Sequence, residues 1–180
     1  TGIAGTPRRP DFYPYFEKQY HLGISGKKVI VAMGRSVRRK GFSWFVREVL
    51  PKLSDDSVFL LIGPFHEKPT TTETVLRFLP AFLRRQIELF LGFPTDEPEL
   101  RRLLAEPEIR SKARHLGKLP FEDIVQILSA VDAFVMPNIR IEGDMEGFGL
   151  VCLEACLCGF FVFAADTDGI PDAIHDKKNG

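Results

Sequence analysis

KVIVAMG, residues 28–34, decides the fold. Its apolar residues run without alternation and stop at a glycine, the pattern of a strand buried on both faces, as in a parallel sheet. Phe42, Phe45, Val46, Val49, Leu50 and Leu53 then recur at the spacing of one helix face. VFLLIG (58–63) is a second buried strand and KARHLG (112–117) a weaker one. Ile124, Ile127, Leu128 and Val131 mark another helix, and DAFVMP (132–137) another strand. A helix opens near Gly149, and FFVFAA (160–165) is a buried strand before a short helical start at PDAIHD (171–176). This alternation predicts an α/β fold, a doubly wound parallel sheet of Rossmann-like type. Such sheets bind ligands at the carboxyl ends of their strands. Chemistry is therefore expected in the loops after Gly34, Gly63, Pro137 and Ala165.

The 180 residues suffice for one core and one domain. Lys plus Arg and Asp plus Glu are both 24, so the chain lacks the broad basic footprint of a nucleic-acid binder, and no nucleic-acid partner is expected. Cys152, Cys156 and Cys158 lie too close together, and in too odd a number, for a secreted disulfide framework. They read as small buried hydrophobes of a cytoplasmic protein, with no fourth ligand for a metal. His21, His66, His115 and His175 form no triad with a nucleophile and read as surface or loop residues. The longest apolar run, 149–165, is shorter than the ~20 residues a membrane span needs and contains Glu154. Thr1 at one end and KKNG at the other suggest a piece of something longer.

Residues 64–111 interrupt the rhythm. Leu76, Leu79, Leu83, Ile87 and Phe90 suit a helical face broken at Pro80, so a helical insertion on the domain edge is expected. Its arginines leave a second reading, an amphipathic surface helix in peripheral contact with the cytoplasmic face of a membrane.

Two loops carry chemistry. In GRSVRRKG (34–41), four cationic residues lie between glycines; Gly34 permits a tight turn, and Arg35 and Lys40 could close on a diphosphate. A solvated basic turn accounts for this stretch equally well. In GDMEGFGLVCLEA (143–155), Gly147 and Gly149 precede a helix whose free N–H groups favour an anion. Glu154, about a turn inside that helix and leaning toward its start, could accept hydrogen bonds from ribose hydroxyls. Glu146 would face whatever lies beyond the phosphates. A retaining-glycosidase pair would need carboxyls ~5 Å apart, which this placement disfavours.

Residues 146–154, EGFGLVCLE, resemble the signature E-G-F-G-L-V-x-L-E of the family-4 retaining glycosyltransferases, which have the GT-B fold. Residues 34–41 match that family's G-R-x-x-x-x-K-G phosphate motif at the same spacing. DGIPDAIHDKKNG is similar to its G-G-I-P-E-V-I block, with Asp168 in place of the first glycine and Asp172 in place of the glutamate. HLGKLPFEDIVQILSAVDAFVMP resembles the segment before the signature, and NIRIEGDMEG looks like members that mannosylate lipid acceptors.

The resemblance implies the C-terminal, donor-binding half of a GT-B enzyme, without the N-terminal acceptor domain and the last C-terminal helices. It implies that the residues matching Arg35 and Lys40 hold the diphosphate of a nucleotide-sugar donor, with Gly34 at the turn. Glu146 would contact the sugar together with the backbone at Phe148, Gly149 and Leu150, and Glu154 would bind the ribose. The base would rest near residues 115–119. Transfer would be retaining, to a glycan, lipid or small-molecule acceptor, without metal or other cofactor. An isolated domain of this kind is expected to bind donor and transfer poorly or not at all. Two alternatives stand beside this: a non-catalytic nucleotide-sugar-binding module, and a metal-dependent transferase using Asp166 and Asp168 as a D-x-D motif.

Overall fold

The computed structural model describes residues 12–65, 79–80, 83, 87, 95–157, 159 and 161–180. Strands β1 (Lys28–Met33), β2 (Ser57–Ile62), β3 (Ala113–Gly117), β4 (Ala133–Met136) and β5 (Phe161–Ala164) fall within one residue of the expected ends. They form one sheet in the order β3-β2-β1-β4-β5, and every neighbouring pair is parallel. The chain winds outward from β1 to β3, then crosses back to lay β4 on the other side of β1. The boundary between β1 and β4 is thus the topological switch point, where such sheets bind ligands.

Side-chain alternation along β2 explains its uniform apolarity. Val58, Leu60 and Ile62 join one core cluster, with Phe16 of helix α1 (Phe12–Tyr20), Val125, Ile127 and Leu128 of α5 (Phe121–Leu128) and Cys152 and Ala155 of α6 (Leu150–Leu157). Phe59 and Leu61 join the other, with Phe42, Phe45, Val46 and Leu50 of α2 (residues 42–52), Leu100 and Leu103 of α3 (Glu97–Ala105) and Ile109 of α4 (Pro107–Lys112). Both faces of β2 are covered, so Val58 to Ile62 are all apolar, while the buried Ser57 at the strand's start pairs its hydroxyl with that of Ser54 at 3.0 Å. Burying each such apolar side chain contributes about 1.5–3 kcal/mol.

The helix expected after β1 forms, but changes pitch along its length: α-helical at Phe42–Trp44, π at Phe45–Val49 and 3₁₀ at Leu50–Lys52. Its start is tied to α3 by Asp96, which accepts hydrogen bonds from the Ser43 N–H at 2.9 Å and the Ser43 hydroxyl at 2.5 Å. The helical character expected of residues 64–111 is present at its C-terminal end, where α3 and α4 complete the connection from β2 to β3. Leu76 and Phe90 lie outside the described residues.

One expectation needs correction. FFVFAA was read as a buried strand, but Phe161 is 76% and Phe163 64% exposed while Val162 is buried. β5 pairs only with β4 and is the sheet's edge. No described element covers the face that carries these two rings.

Candidate active site

The loops after β1 and β4 are held together by backbone contact at the switch point. Ile139 N–H donates to the Arg39 carbonyl at 2.9 Å. Gly41 has φ +65°, and a Cβ there would lie 2.0 Å from the Pro137 carbonyl oxygen, so only glycine fits. A short 3₁₀ turn, Arg38–Lys40, precedes it and aims two cations across the gap. Lys40 lies over Gly34, whose added Cβ would meet the Lys40 stem at 3.6 Å.

Both cations reach Glu146. Lys40 Nζ is 2.8 Å from Glu146 Oε2, and Arg39 Nε is 3.4 Å from the same oxygen. Arg39 Nη1 also contacts both carboxylate oxygens of Asp144, at 2.9 and 3.2 Å. Asn138 Nδ2 donates to Glu146 Oε2 at 3.3 Å. The other amide atom, Asn138 Oδ1, is buried and has no partner among the described residues. The loop after β5 completes the enclosure: Glu146 N–H donates to Asp168 Oδ2 at 3.2 Å, and Gly169 N–H donates to the Glu146 carbonyl at 3.2 Å.

The Glu146, Lys40 and Arg39 side chains are 14, 12 and 15% exposed, so the charges meet in a sheltered setting. Burial by itself would raise the Glu146 pKa. The hydrogen bond and charge of Lys40, the Asn138 amide and the Arg39 charge outweigh it and hold the carboxyl below its ordinary range. The nearby Cys152 thiol is pushed up to about 12, chiefly by burial, and rests 2.9 Å from the Met136 sulfur. Cys152 thus behaves as the small buried hydrophobe expected. Cys156 is half-buried, and Cys158 lies outside the described residues.

Helix α6 starts beside this cluster. Gly149 is buried with φ +69° against Met136, while Phe148 and Leu150 flank it exposed to solvent. Glu154 is half-buried on α6 and makes no hydrogen bond or ion pair with any described residue. Arg35 is exposed and likewise unpaired among the described residues. The loops after β2 and β3 adjoin the site, and Gly63 N–H donates to the Gly117 carbonyl at 2.9 Å. His115 Nε2 bonds the Gly63 carbonyl at 2.7 Å, Phe65 stacks on the imidazole at 3.5 Å, and Arg101 lies 4.6 Å from the Phe65 ring centre. Burial lowers the His115 pKa, favouring the neutral ring. The reading of His115 as a surface or loop residue is therefore corrected: it is a half-buried strand residue. His66 lies outside the described residues.

The family model described as "Glycosyl transferases group 1" matches residues 27–180. The chain belongs to this glycosyltransferase family. A GDP-mannose-dependent monoacylated alpha-(1-6)-phosphatidylinositol monomannoside mannosyltransferase of Corynebacterium glutamicum is 37% identical over 88 residues, covering 48% of this chain and 23% of the relative. The GDP-mannose-dependent alpha-(1-6)-phosphatidylinositol monomannoside mannosyltransferase of Mycolicibacterium smegmatis is 27% identical over 177 residues, 95% of this chain and 38% of the relative. Among solved structures, Anabaena Alr3699/HepE in complex with UDP-glucose superposes with a TM-score of 0.70 at 20% identity, over 100% of this chain and 40% of that one. The glycosyltransferase domain therefore has the Rossmann-like fold of GT-B enzymes and spans well under half the length of these relatives.

Within this glycosyltransferase domain, the expected site residues divide. Lys40, Glu146 and Gly34 form one cluster, with Phe148, Gly149 and Leu150 at the adjoining helix start. Arg35 and Glu154 stand apart from its ion pairs. Arg39, Asn138 and Asp144 went unnoticed in the sequence. Arg39 was hidden among four cations, and the other two lay in a loop whose course periodicity does not predict. Asp168, which with Asp166 forms the alternative D-x-D reading, accepts a backbone hydrogen bond from Glu146. No group of three His, Cys, Asp or Glu suited to a metal occurs among the described residues. Nor is any described helix long and apolar enough to cross a membrane.

Proposed function

We propose that this domain is the donor-binding half of a retaining glycosyltransferase that takes a sugar from a nucleotide-diphosphate donor. The observation that carries the reading is the Lys40–Glu146 contact at 2.8 Å, at the switch point and beside the start of α6. A cation and a carboxylate in contact, next to free helix N–H groups, offer complementary partners to a ligand that is anionic at one end and hydroxylated at the other.

On this reading the diphosphate draws Lys40 away from Glu146 and is further neutralised by Arg35 and the α6 N-terminus. Glu146 then accepts hydrogen bonds from hydroxyls of the sugar, with backbone groups at Phe148, Gly149 and Leu150 closing around it. Glu154, with no described partner of its own, is free to take the ribose hydroxyls. The base lies toward residues 115–119. Departure of the phosphate leaves negative charge where these donors already point, a preorganised stabilisation that calls for no metal. The GDP-mannose-dependent relatives favour a GDP-mannose donor, and the HepE complex keeps UDP-glucose in view. The acceptor, lipid-linked by the same analogy, binds a partner domain, which brings the protein to the cytoplasmic face of a membrane.

Calorimetric titration of the 180-residue chain with GDP-mannose, UDP-glucose and ADP-glucose, with and without EDTA, tests this. Binding of one base class is expected at roughly millimolar to micromolar dissociation constants, unchanged by EDTA and weakened in Glu154→Ala. Binding that EDTA abolishes, or that Lys40→Ala leaves intact, would overturn the assignment.

A further inference from the structure

Glu146 has two cations, and they are held very differently. Lys40 is a point charge on a flexible stem, anchored to Glu146 alone among the described carboxylates. Arg39 is pinned at both ends: its carbonyl accepts from Ile139 N–H, and its guanidinium grips both oxygens of Asp144. Asp144 belongs to the same loop as Glu146, and its own turn is closed by the Asp144 N–H bond to the Ile141 carbonyl at 3.0 Å. A ligand phosphate can recruit Lys40 by a rotation of its side chain. Recruiting Arg39 would break the contact of its Nη1 with both Asp144 oxygens and loosen two loops.

We infer that Arg39 is a positioning residue for Glu146: clamped by Asp144, it keeps the carboxylate in place and ionised while Lys40 transfers to the donor diphosphate. This rests on the donor-site reading above. The need for such a residue follows from the charges that face Glu146. Lys40 and Arg39 approach from the loop after β1, Asp144 from its own loop and Asp168 from the loop after β5, while Cys152 of α6 is a protonated thiol. Once Lys40 leaves for a phosphate, two carboxylates and a diphosphate surround Glu146. Arg39 is then its only remaining described cation. Without it, a sheltered carboxylate would take up a proton or swing away, and either event removes its acceptor from the sugar.

The test compares a nucleoside diphosphate with its nucleotide sugar (GDP with GDP-mannose, or UDP with UDP-glucose) on the unaltered chain, Arg39→Gln and Arg39→Lys. Arg39→Gln is expected to keep nucleoside-diphosphate affinity within about twofold, which also reports an intact fold. It should lose about tenfold in nucleotide-sugar affinity, as expected for one charge-assisted contact. That loss should be greatest near pH 5 and shrink as the pH rises and Glu146 ionises again. Arg39→Lys should restore part of it. An equal loss for both ligands would make Arg39 a phosphate ligand and overturn the inference, as would no loss for either. If the unaltered chain binds neither ligand, the donor-site reading fails by itself. The Arg39–Glu146 coupling is then read directly by carbon NMR titration of the Glu146 carboxyl. An upward pKa shift in Arg39→Gln supports the coupling, and an unchanged value overturns it.

Discussion

Two carboxylates in this molecule, one buried and one half-buried, behave in opposite ways. Asp96, between α3 and the start of α2, accepts the Ser43 N–H and hydroxyl and touches no cation directly. Burial raises its pKa against those hydrogen bonds. Glu146, at the switch point, is less deeply buried but meets Lys40 and Arg39, and its pKa falls. The difference teaches how the kind of partner sets a carboxylate's charge state. Neutral donors secure a carboxylate as a structural tie. Cations with alternative partners hold it ionised and leave it exchangeable. The Asp96 region joins elements, whereas on the proposed donor-site reading the Glu146 region keeps charge ready for a ligand.

Breaking the structural member should have the largest effect on stability. Asp96→Ala leaves the Ser43 N–H, in the first turn of α2, and the Ser43 hydroxyl buried without an acceptor. A loss of about 2–4 kcal/mol is expected in urea unfolding. Because Asp96 lies outside the Glu146 cluster, the surviving folded fraction should bind donor nucleotide as before. Lys40→Ala should reverse this pattern. Donor binding should fall by about 1.5–3 kcal/mol, roughly 10- to 150-fold, measured by calorimetry. Stability should change less, because Arg39 still balances Glu146.

Glu154→Ala sharpens the contrast from a third side. Glu154 has no described partner to lose, so the unfolding midpoint should move by no more than about 0.5 kcal/mol. Donor affinity should still drop by about 0.5–1.5 kcal/mol through lost ribose hydrogen bonds. Unchanged affinity would remove Glu154 from the site. The smallest effect is in pH dependence, and its sign distinguishes the two carboxylates. The Glu146 pKa is lowered on folding, so its contribution is present above the unfolded value of ~4.3 and is lost as pH falls through the folded value. Asp96 is raised on folding. Its contribution is full below the unfolded value of ~3.9 and declines as pH rises through the folded one. Urea midpoints between pH 3 and 6 should show Glu146→Gln flattening the acid-side loss, and Asp96→Asn flattening the opposing slope.

Much of the fold was legible in one dimension. A strand covered on both faces is built almost wholly of apolar residues, so the runs VIVAM within β1 and VFLLI within β2 announce themselves wherever they occur. The edge strand β5 was misjudged for the same reason. Phe161 and Phe163 look like core residues, and exposure depends on which strand lies next in the sheet, not on the residue. Within the candidate site, Lys40 and Glu146, which the structure brings together, stand out in the sequence because glycines and a helix start frame them. Arg39 does not, since nothing in GRSVRRKG separates it from Arg35 and Arg38.

By itself, then, the sequence determined the order of strands and helices, the glycines that permit close loop approach and the family to which the chain belongs. All of these are properties of residue type at fixed spacing. Only the tertiary structure decided which charges meet. Arg39 and Glu146 are 107 residues apart and touch because the sheet places β4 beside β1. Ion pairing depends on ångström-scale distance, and in a doubly wound sheet that distance is set by strand order rather than by position along the chain.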